Sequence, residues 1–310
     1  MLPLAPLAGG AYLGWSLGAN DAANVFGTAV ASRIISFRKA CILCSLGIIL
    51  GAILEGQAGI HTLSGLTEQG RRTILIVSVA AGFSVTLMTI LRLPISASQA
   101  IVGAITGIGL ATNNMQWGAL TKVVTCWIAT PIGAMLIACV IYKLLGAILQ
   151  HVPMSMLTRD KILWAGLLVV GTYGSYALGA NNVANATGIF SGQITGVSDH
   201  QLALLGGIAI AAGVMTYSRR VMIAVGSGIM PMDAFTAFVA VFSMAVTVHI
   251  FAIIGVPVST SQAIVGSIIG IGVLRGIHAI KFRLLRNICA GWVLTPVMAL
   301  ILSAAGYAII

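Results

Sequence analysis

The chain has 310 residues, of which 59% are hydrophobic and only 7% are charged, and its formal net charge is +10. Soluble domains carry about 25% charged residues, so this composition excludes an ordinary soluble enzyme and leaves no room for a separate soluble domain. A positive charge would suggest nucleic-acid binding in a soluble protein, but here the basic residues fall between apolar segments, where they reflect membrane topology. We therefore predict an all-α polytopic membrane protein that does not bind nucleic acid.

Ten apolar segments follow one another along the chain, and most are close to the length of about twenty residues that spans a bilayer. They cover residues 4–31, 40–56, 73–91, 95–112, 118–142, 162–191, 201–217, 235–255, 257–274 and 284–309. The polar stretch 143–161 divides them into two sets of five. It predicts a first half over residues 1–142 and a second half over 162–310, joined by this connector.

Polar side chains interrupt the first apolar segment, where Asn20 and Asp21 lie four and three residues before Asn24, so that each shares a helix face with it. The sixth segment repeats the pattern with Asn181, Asn182 and Asn185. Asparagines in a membrane helix can simply bond a neighbouring helix. Two copies with the same spacing favour a bound substrate or ion, because polar groups inside a membrane are costly.

Asp21 is the only acidic residue well inside an apolar segment. A carboxylate there must be neutralised by a cation or a proton, unless it is a structural group that bonds helix N–H groups. We expect sodium, with Asp21 as its charged ligand, because the amide oxygens nearby would add neutral ligands that a proton does not need. The predicted cation-binding residues are Asn20, Asp21, Asn24, Asn181, Asn182 and Asn185.

A second motif pair, Pro94–Gln99 and Pro257–Gln262, places proline and serine just before a glycine-rich apolar run. Proline suits the first turn of a helix and serine caps it. A single copy would slightly favour a loop at the membrane surface. Two nearly identical copies favour two helix starts inside the membrane, which point unpaired N–H groups at one anion. The predicted substrate-binding residues are Ser96, Ser98, Gln99, Ser259, Thr260, Ser261 and Gln262, together with Asn24 and Asn185.

The two halves are internal repeats. Residues 94–110 and 257–273 share 12 of 17 positions, and the first motif pair repeats at an offset of 161 residues. Since five segments are an odd number, the second half must enter the membrane from the opposite side, as in transporters with inverted repeats. The architecture predicted is two inverted-topology repeats with broken or re-entrant helices.

Basic residues test this topology. With both termini outside and the connector in the cytoplasm, three basic residues lie outside, namely Arg71, Arg72 and Lys122, and thirteen lie inside. The inside set is Arg33, Arg38, Lys39, Arg92, Lys143, Arg159, Lys161, Arg219, Arg220, Arg275, Lys281, Arg283 and Arg286. This bias satisfies the positive-inside rule. Re-entrant hairpins would preserve it and would place Arg92 at a hairpin tip inside the protein.

Other candidate groups carry less information. His249 lies in the eighth segment without an acidic partner that the sequence identifies, so we interpret it as a core histidine rather than a proton relay. The five cysteines are interpreted as packing residues, because their number is odd and the Cys41-x-x-Cys44 pair lies in an apolar segment without nearby histidine or further cysteine partners. The sequence contains no Walker A motif and no catalytic triad pattern, which argues against an enzyme or an ATP-driven pump.

These motifs resemble those of the inorganic phosphate transporter (PiT) family, whose signature is Gly-Ala-Asn-Asp-x-x-Asn in both halves. The resemblance covers essentially the whole chain, and it implies secondary transport of phosphate driven by sodium or protons, usually by a homodimer. The compact chain implies a prokaryotic form in the cell membrane. The resemblance also implies that the phosphate and cation sites are lined by Asp21, Asn24, Asn181, Asn185, Ser96, Ser98, Ser259, Thr260 and Ser261.

The chain departs from the family pattern at two places. Asn182 stands where the family normally has aspartate, and Gln99 and Gln262 stand where many members carry histidine.

From the motifs and the resemblance together, we expect a sodium-coupled phosphate symporter, with a proton-coupled phosphate permease or a sulfate permease of the same fold as alternatives. A carboxylate at Asp21 favours phosphate, because protonated phosphate can donate a hydrogen bond to it and sulfate cannot. A passive anion channel is a weaker alternative, since Asp21 would hinder an anion pore.

Overall fold

The computed structural model describes residues 5–67, 70–91, 95–226, 232–276 and 280–309, and these form helices joined by short turns. The helices are α1 (Ala5–Ala31), α2 (Phe37–Glu55), α3 (Gln57–Ser64), α4 (Arg71–Ile90), α5 (Ala97–Ala111), α6 (Trp117–His151), α7 (Met156–Thr187), α8 (Asp199–Tyr217), α9 (Arg219–Gly226), α10 (Ala234–Ile254), α11 (Thr260–Arg275) and α12 (Phe282–Ile309). These helices confirm the all-α prediction. Helices are expected here because backbone groups in a bilayer must pair within their own helix.

Each of the ten predicted segments corresponds to one of these helices. Seven helices of the described residues are long and apolar enough to cross a membrane. The short helices α3 and α9 were not predicted. The stretch 143–161 is mostly helical, and only residues 152–155 interrupt it. Because α6 has 35 residues and is therefore about 52 Å long, it extends beyond a hydrocarbon core of about 30 Å.

The helices α5 and α11 begin inside the protein. The residues that precede them, Ile95–Ser96 and Gly255–Ser259, are buried, with Ser96 at 0% and Ser259 at 2% exposure. This burial contradicts the alternative of a surface loop at these residues. Arg92 and Pro94 lie outside the described residues. Gly255 ends α10 with a positive φ of 79°, which glycine adopts without strain, and it lies against Ala58 at the start of α3.

The two halves pack crosswise. Helices α1 and α2 of the first half contact α8 and α7 of the second, while α5 contacts α12 and α11 contacts α6. Matching glycines make these contacts close. A Cβ at Gly18 would overlap the carbonyl oxygen of Ile210, and a Cβ at Gly179 would overlap that of Ile48. The internal repeat of the sequence thus has equivalent backbone contacts in both halves.

Candidate functional site

The two copies of the first motif meet side by side at the contact between α1 and α7. Asn182 on α7 donates a hydrogen bond of 2.6 Å from Nδ2 to Oδ2 of Asp21 on α1. Both side chains are buried, with Asp21 at 2% exposure. None of the ion pairs between described residues involves Asp21. The carboxylate is therefore held by an amide and is not neutralised by a described basic side chain.

Asn181 connects this pair to the backbone just before α11. Its Nδ2 donates to the carbonyl oxygen of Val258 at 2.8 Å, and its Oδ1 accepts from the Val258 N–H at 2.9 Å. The same Nδ2 also lies 2.7 Å from Oδ1 of Asn182. An asparagine side chain thus satisfies both polar groups of a backbone unit that lies between two helices and has no helical partner.

Contacts between the halves complete the network. Asn185 on α7 donates to Oγ of Ser98 on α5 at 2.8 Å, and Ser98 donates to the Val258 carbonyl oxygen at 2.8 Å. Asn24 on α1 donates to Oγ1 of Thr260 on α11 at 3.1 Å. The asparagine of each half therefore donates a hydrogen bond to a hydroxyl at the helix start of the other half. The contact between Ser98 and Val258 also shows that the starts of α5 and α11 are adjacent.

The serines that precede these helices cap them. Ser96 Oγ accepts from the N–H of Gln99, and Ser259 Oγ accepts from the N–H of Gln262, each at 3.2 Å. Ser259 Oγ also lies 2.9 Å from Oγ of Ser261. A capping hydroxyl accepts one bond and can still donate another, and the first N–H groups of a helix have no partner within it. The two helix starts thus offer hydrogen-bond donors suited to an anion.

Several buried side-chain oxygens of this region have no hydrogen-bond donor among the described residues. They are Asp21 Oδ1, Asn185 Oδ1, Gln99 Oε1 and Gln262 Oε1. Unpaired buried acceptors are costly, and a hard cation prefers such carboxylate and carbonyl oxygens as ligands. These oxygens are therefore suitable ligands for a sodium ion near Asp21. The N–H and hydroxyl groups at the starts of α5 and α11, which can donate hydrogen bonds to an anion, lie next to this position.

The structure links Asp21, Asn181, Asn182, Asn185 and Ser98 by hydrogen bonds and places the other predicted site residues of α5 and α11 at the starts of these helices, but Asn20 is placed differently. It donates from Nδ2 to Oγ1 of Thr89 on α4 at 2.9 Å, rather than to the other half. The sequence analysis missed Thr89 and the backbone of Val258. Thr89 could have been noticed as a hydroxyl near the end of an apolar segment, whereas a backbone carbonyl leaves no trace in the sequence.

The interpretation of His249 as a residue without an acidic partner is wrong. Its Nε2 lies 2.6 Å from Oε2 of Glu55, and its Nδ1 lies 2.7 Å from the hydroxyl of Tyr173. Glu55 is the last residue of α2 and lies at the end of the second apolar segment. That position brings it beside α10, 194 residues later in the chain.

Comparisons with known proteins agree with this geometry. The model of the phosphate transporter family matches residues 17–303. A protein of Methanocaldococcus jannaschii, named "Putative phosphate permease MJ0630", is 32% identical, and the alignment covers 94% of this chain and 92% of that protein. Sulfate permease CysP of Bacillus subtilis is 30% identical, over 94% of this chain and 83% of that protein.

A solved structure described as the sodium-dependent phosphate transporter has the same fold. It superposes with a TM-score of 0.90 at 25% sequence identity and covers 100% of this chain and 99% of that one. The family match extends over most of the chain and includes both motif pairs. The proteins compared are transporters and not enzymes, in agreement with the sequence-based expectation. The chain therefore belongs to the phosphate transporter family.

Proposed function

We propose that the protein is a secondary active symporter that imports inorganic phosphate together with sodium. The observation that carries this proposal is the location of Asp21, a buried carboxylate without a basic partner among the described residues, beside two adjacent helix starts. Such a site can hold a cation and an anion next to each other. Each ion then lowers the cost of burying the other, which is the basis of coupled transport.

Two features support an anion of tetrahedral shape. The starts of α5 and α11 bring hydroxyls and backbone N–H groups together from two directions, so that several oxygens of one anion can be bound at once. No buried lysine or arginine is needed, because helix N-termini favour negative charge. Protonated phosphate can also donate a hydrogen bond to a carboxylate, which Asp21 provides.

Uptake into proteoliposomes tests the proposal. We expect labelled phosphate to accumulate against its gradient when sodium is supplied outside, and not when potassium replaces sodium. If uptake depends on a proton gradient and not on sodium, the coupled ion is a proton and not sodium. Equilibration without accumulation would contradict symport and favour a passive anion channel.

Sulfate is the second candidate substrate. The similarity to a sulfate permease supports it, and so does Asn182, since an amide at this position does not repel an anion that has no proton to donate. Competition by unlabelled sulfate against labelled phosphate separates the two candidates. Phosphate transport predicts little competition by sulfate, whereas complete inhibition at equal concentrations would favour sulfate.

Removing hydroxyls at the helix starts should weaken substrate binding unequally. We expect Ser98→Ala to lower the apparent affinity by about 1–3 kcal/mol, because its Oγ bonds both Asn185 and Val258. Ser261→Ala should have the smaller effect, since its Oγ has one bond, to Ser259. Concentration dependence of uptake measures both variants. Unchanged affinity in both would remove these serines from the substrate site.

We also propose that the protein lies in the plasma membrane as two inverted repeats, with both termini outside, and forms a homodimer. The charge distribution supports the orientation, and the family resemblance supports the dimer. A cysteine introduced beside Arg159, at the start of α7, should not react with an impermeant maleimide in intact cells and should react after lysis. Reaction in intact cells would overturn the orientation.

A further inference from the structure

Four side chains form a titratable cluster away from Asp21. His249 on α10 connects Glu55 on α2, at 2.6 Å, with the hydroxyl of Tyr173 on α7, at 2.7 Å. The ring of Tyr176 packs edge-on against the imidazole, with 5.6 Å between ring centroids. The His249 and Glu55 side chains are 19% and 34% exposed. The proposed transport function uses none of these groups.

The corresponding position in the first half shows that this helix contact does not need an imidazole and a carboxylate. Tyr173 corresponds to Tyr12 at the offset of the first motif, and His249 corresponds to Thr86 at the offset of the second. Tyr12 donates to Oγ1 of Thr86 at 2.9 Å. The same link between helices is therefore made by two neutral hydroxyls in one half and by an imidazole with a carboxylate in the other.

The cluster joins a fixed pair of helices to the hairpin of α10 and α11. Helices α2 and α7 are locked together, because a Cβ at Gly51 would overlap the carbonyl oxygen of Tyr176. Six residues after His249, α10 ends at Gly255, and the backbone that follows supplies Val258 to the candidate site. If the hairpin moves to open the site, the Glu55–His249 contact must therefore break, or α2 must move together with α10.

We propose that Glu55, His249 and Tyr173 form a proton-binding site whose occupancy controls the position of this hairpin. A carboxylate only accepts, so Nε2 of His249 donates to Glu55, and the neutral ring accepts from the Tyr173 hydroxyl at Nδ1. An added proton resides on Nδ1, and Tyr173 turns from donor to acceptor. The charge of the cluster then changes from −1 to 0, the state that a low-dielectric setting favours.

No other described charged group forms an ion pair with Glu55 or His249. The elements packed against α10 carry several titratable or charged side chains besides Glu55, Tyr173 and Tyr176. They are Tyr12 and Asp21 on α1, His61 on α3, Lys122, Cys126, Cys139, Tyr142, Lys143 and His151 on α6, Arg159, Asp160 and Lys161 on α7, and Arg275 on α11. Asp21 bonds Asn182, His61 pairs with Asp199, and Arg275 pairs with Asp233. None of the ion pairs between described residues links the groups of α6, or Arg159, Asp160 and Lys161 of α7, to the cluster.

The proton should hold the hairpin closed. With the proton bound, an imidazolium faces a carboxylate, and parting them would leave both charges unpaired. With the proton released, the link is a weaker bond from a neutral ring to a carboxylate. Low pH therefore favours the closed hairpin and higher pH favours opening. This consequence does not depend on which anion is carried.

Hydrogen exchange of the whole protein in detergent tests the proposal, with exchange times scaled to the intrinsic rate at each pH. The reporter is the peptide that covers residues 255–262, whose amides bond Phe251, Asn181 and Ser259 in the closed state. We expect its protection factor to fall by about tenfold between about pH 5.5 and about pH 8, the range in which an imidazole ordinarily changes charge.

Three variants decide the outcome. His249→Thr, which copies the first half, and Glu55→Gln should each remove the pH dependence of protection. Tyr12→Phe, which deletes the equivalent hydroxyl bond of the first half, should keep it. The proposal would be overturned if His249→Thr and Glu55→Gln both kept the pH dependence of the protection factor, or if the wild type showed no such dependence. If His249→Thr does not fold, Glu55→Gln alone decides, because glutamine keeps the shape of the side chain.

Discussion

Asp21→Asn is expected to abolish sodium-stimulated uptake while the protein remains folded. Asparagine keeps an oxygen that can accept from Nδ2 of Asn182, so the contact between α1 and α7 survives. The charge is lost, and an amide nitrogen replaces one of the two oxygens. A buried charge pair that loses one partner costs about 3–5 kcal/mol, which predicts a loss of more than about a hundredfold in apparent sodium affinity.

The matched control is the reverse change, Asn182→Asp, which restores the second acidic residue of the family pattern. It should strengthen the cation dependence or raise the number of sodium ions carried per anion. Uptake measured against sodium concentration at two pH values compares both variants with the wild type, and thermal unfolding in detergent confirms folding. Normal transport by Asp21→Asn would show that Asp21 is structural.

Gly213→Ala is expected to lower the stability of the folded protein, although it adds only one methyl group. A Cβ at Gly213 would overlap the carbonyl oxygen of Trp15, so α8 and α1 would have to move apart. Overpacking of this kind costs about 1–3 kcal/mol, and sometimes more when the neighbour is backbone that cannot change rotamer. Thermal unfolding in detergent measures the loss.

Gly133→Ala is the matched control, because a Cβ at Gly133 meets no atom within 4 Å. Alanine in a helix is more favourable than glycine by about 1 kcal/mol, so this variant should be as stable as the wild type or more stable. The two changes are chemically identical and differ only in what the methyl group meets. A loss in Gly133→Ala as large as in Gly213→Ala would contradict the argument from helix contact.

Local chemistry explains what the sequence predicted correctly. Long apolar runs become helices because a bilayer leaves them no other way to pair their backbone groups. Ser96 and Ser259 cap helices because serine next to a helix start accepts a backbone N–H. The stretch 143–161 was expected to be a connector from its polarity, yet α6 and α7 run through most of it, since lysine, arginine and glutamine favour helices.

Contacts between distant residues could not be predicted in the same way. The Glu55–His249 pair depends on where α2 ends relative to α10, which is set by glycine contacts of α2 with α7. Val258 takes part through its carbonyl oxygen and N–H, so its apolar side chain gives no signal. Asn20 matches Asn181 in the sequence repeat, but Thr89 provides a partner for Asn20 within its own half.

The crosswise packing has a consequence for how the protein is made. The ribosome delivers α1 and α2 to the membrane before α7 and α8 exist, so the glycine faces at Gly18 and Gly51 first contact lipid or other chains. Asp21 likewise lacks the hydrogen bond from Asn182 until α7 has been inserted. The first half thus remains an assembly intermediate with an unmatched carboxylate until the second half is inserted. A truncated product would keep this polar group without its partner inside the membrane, which is energetically costly.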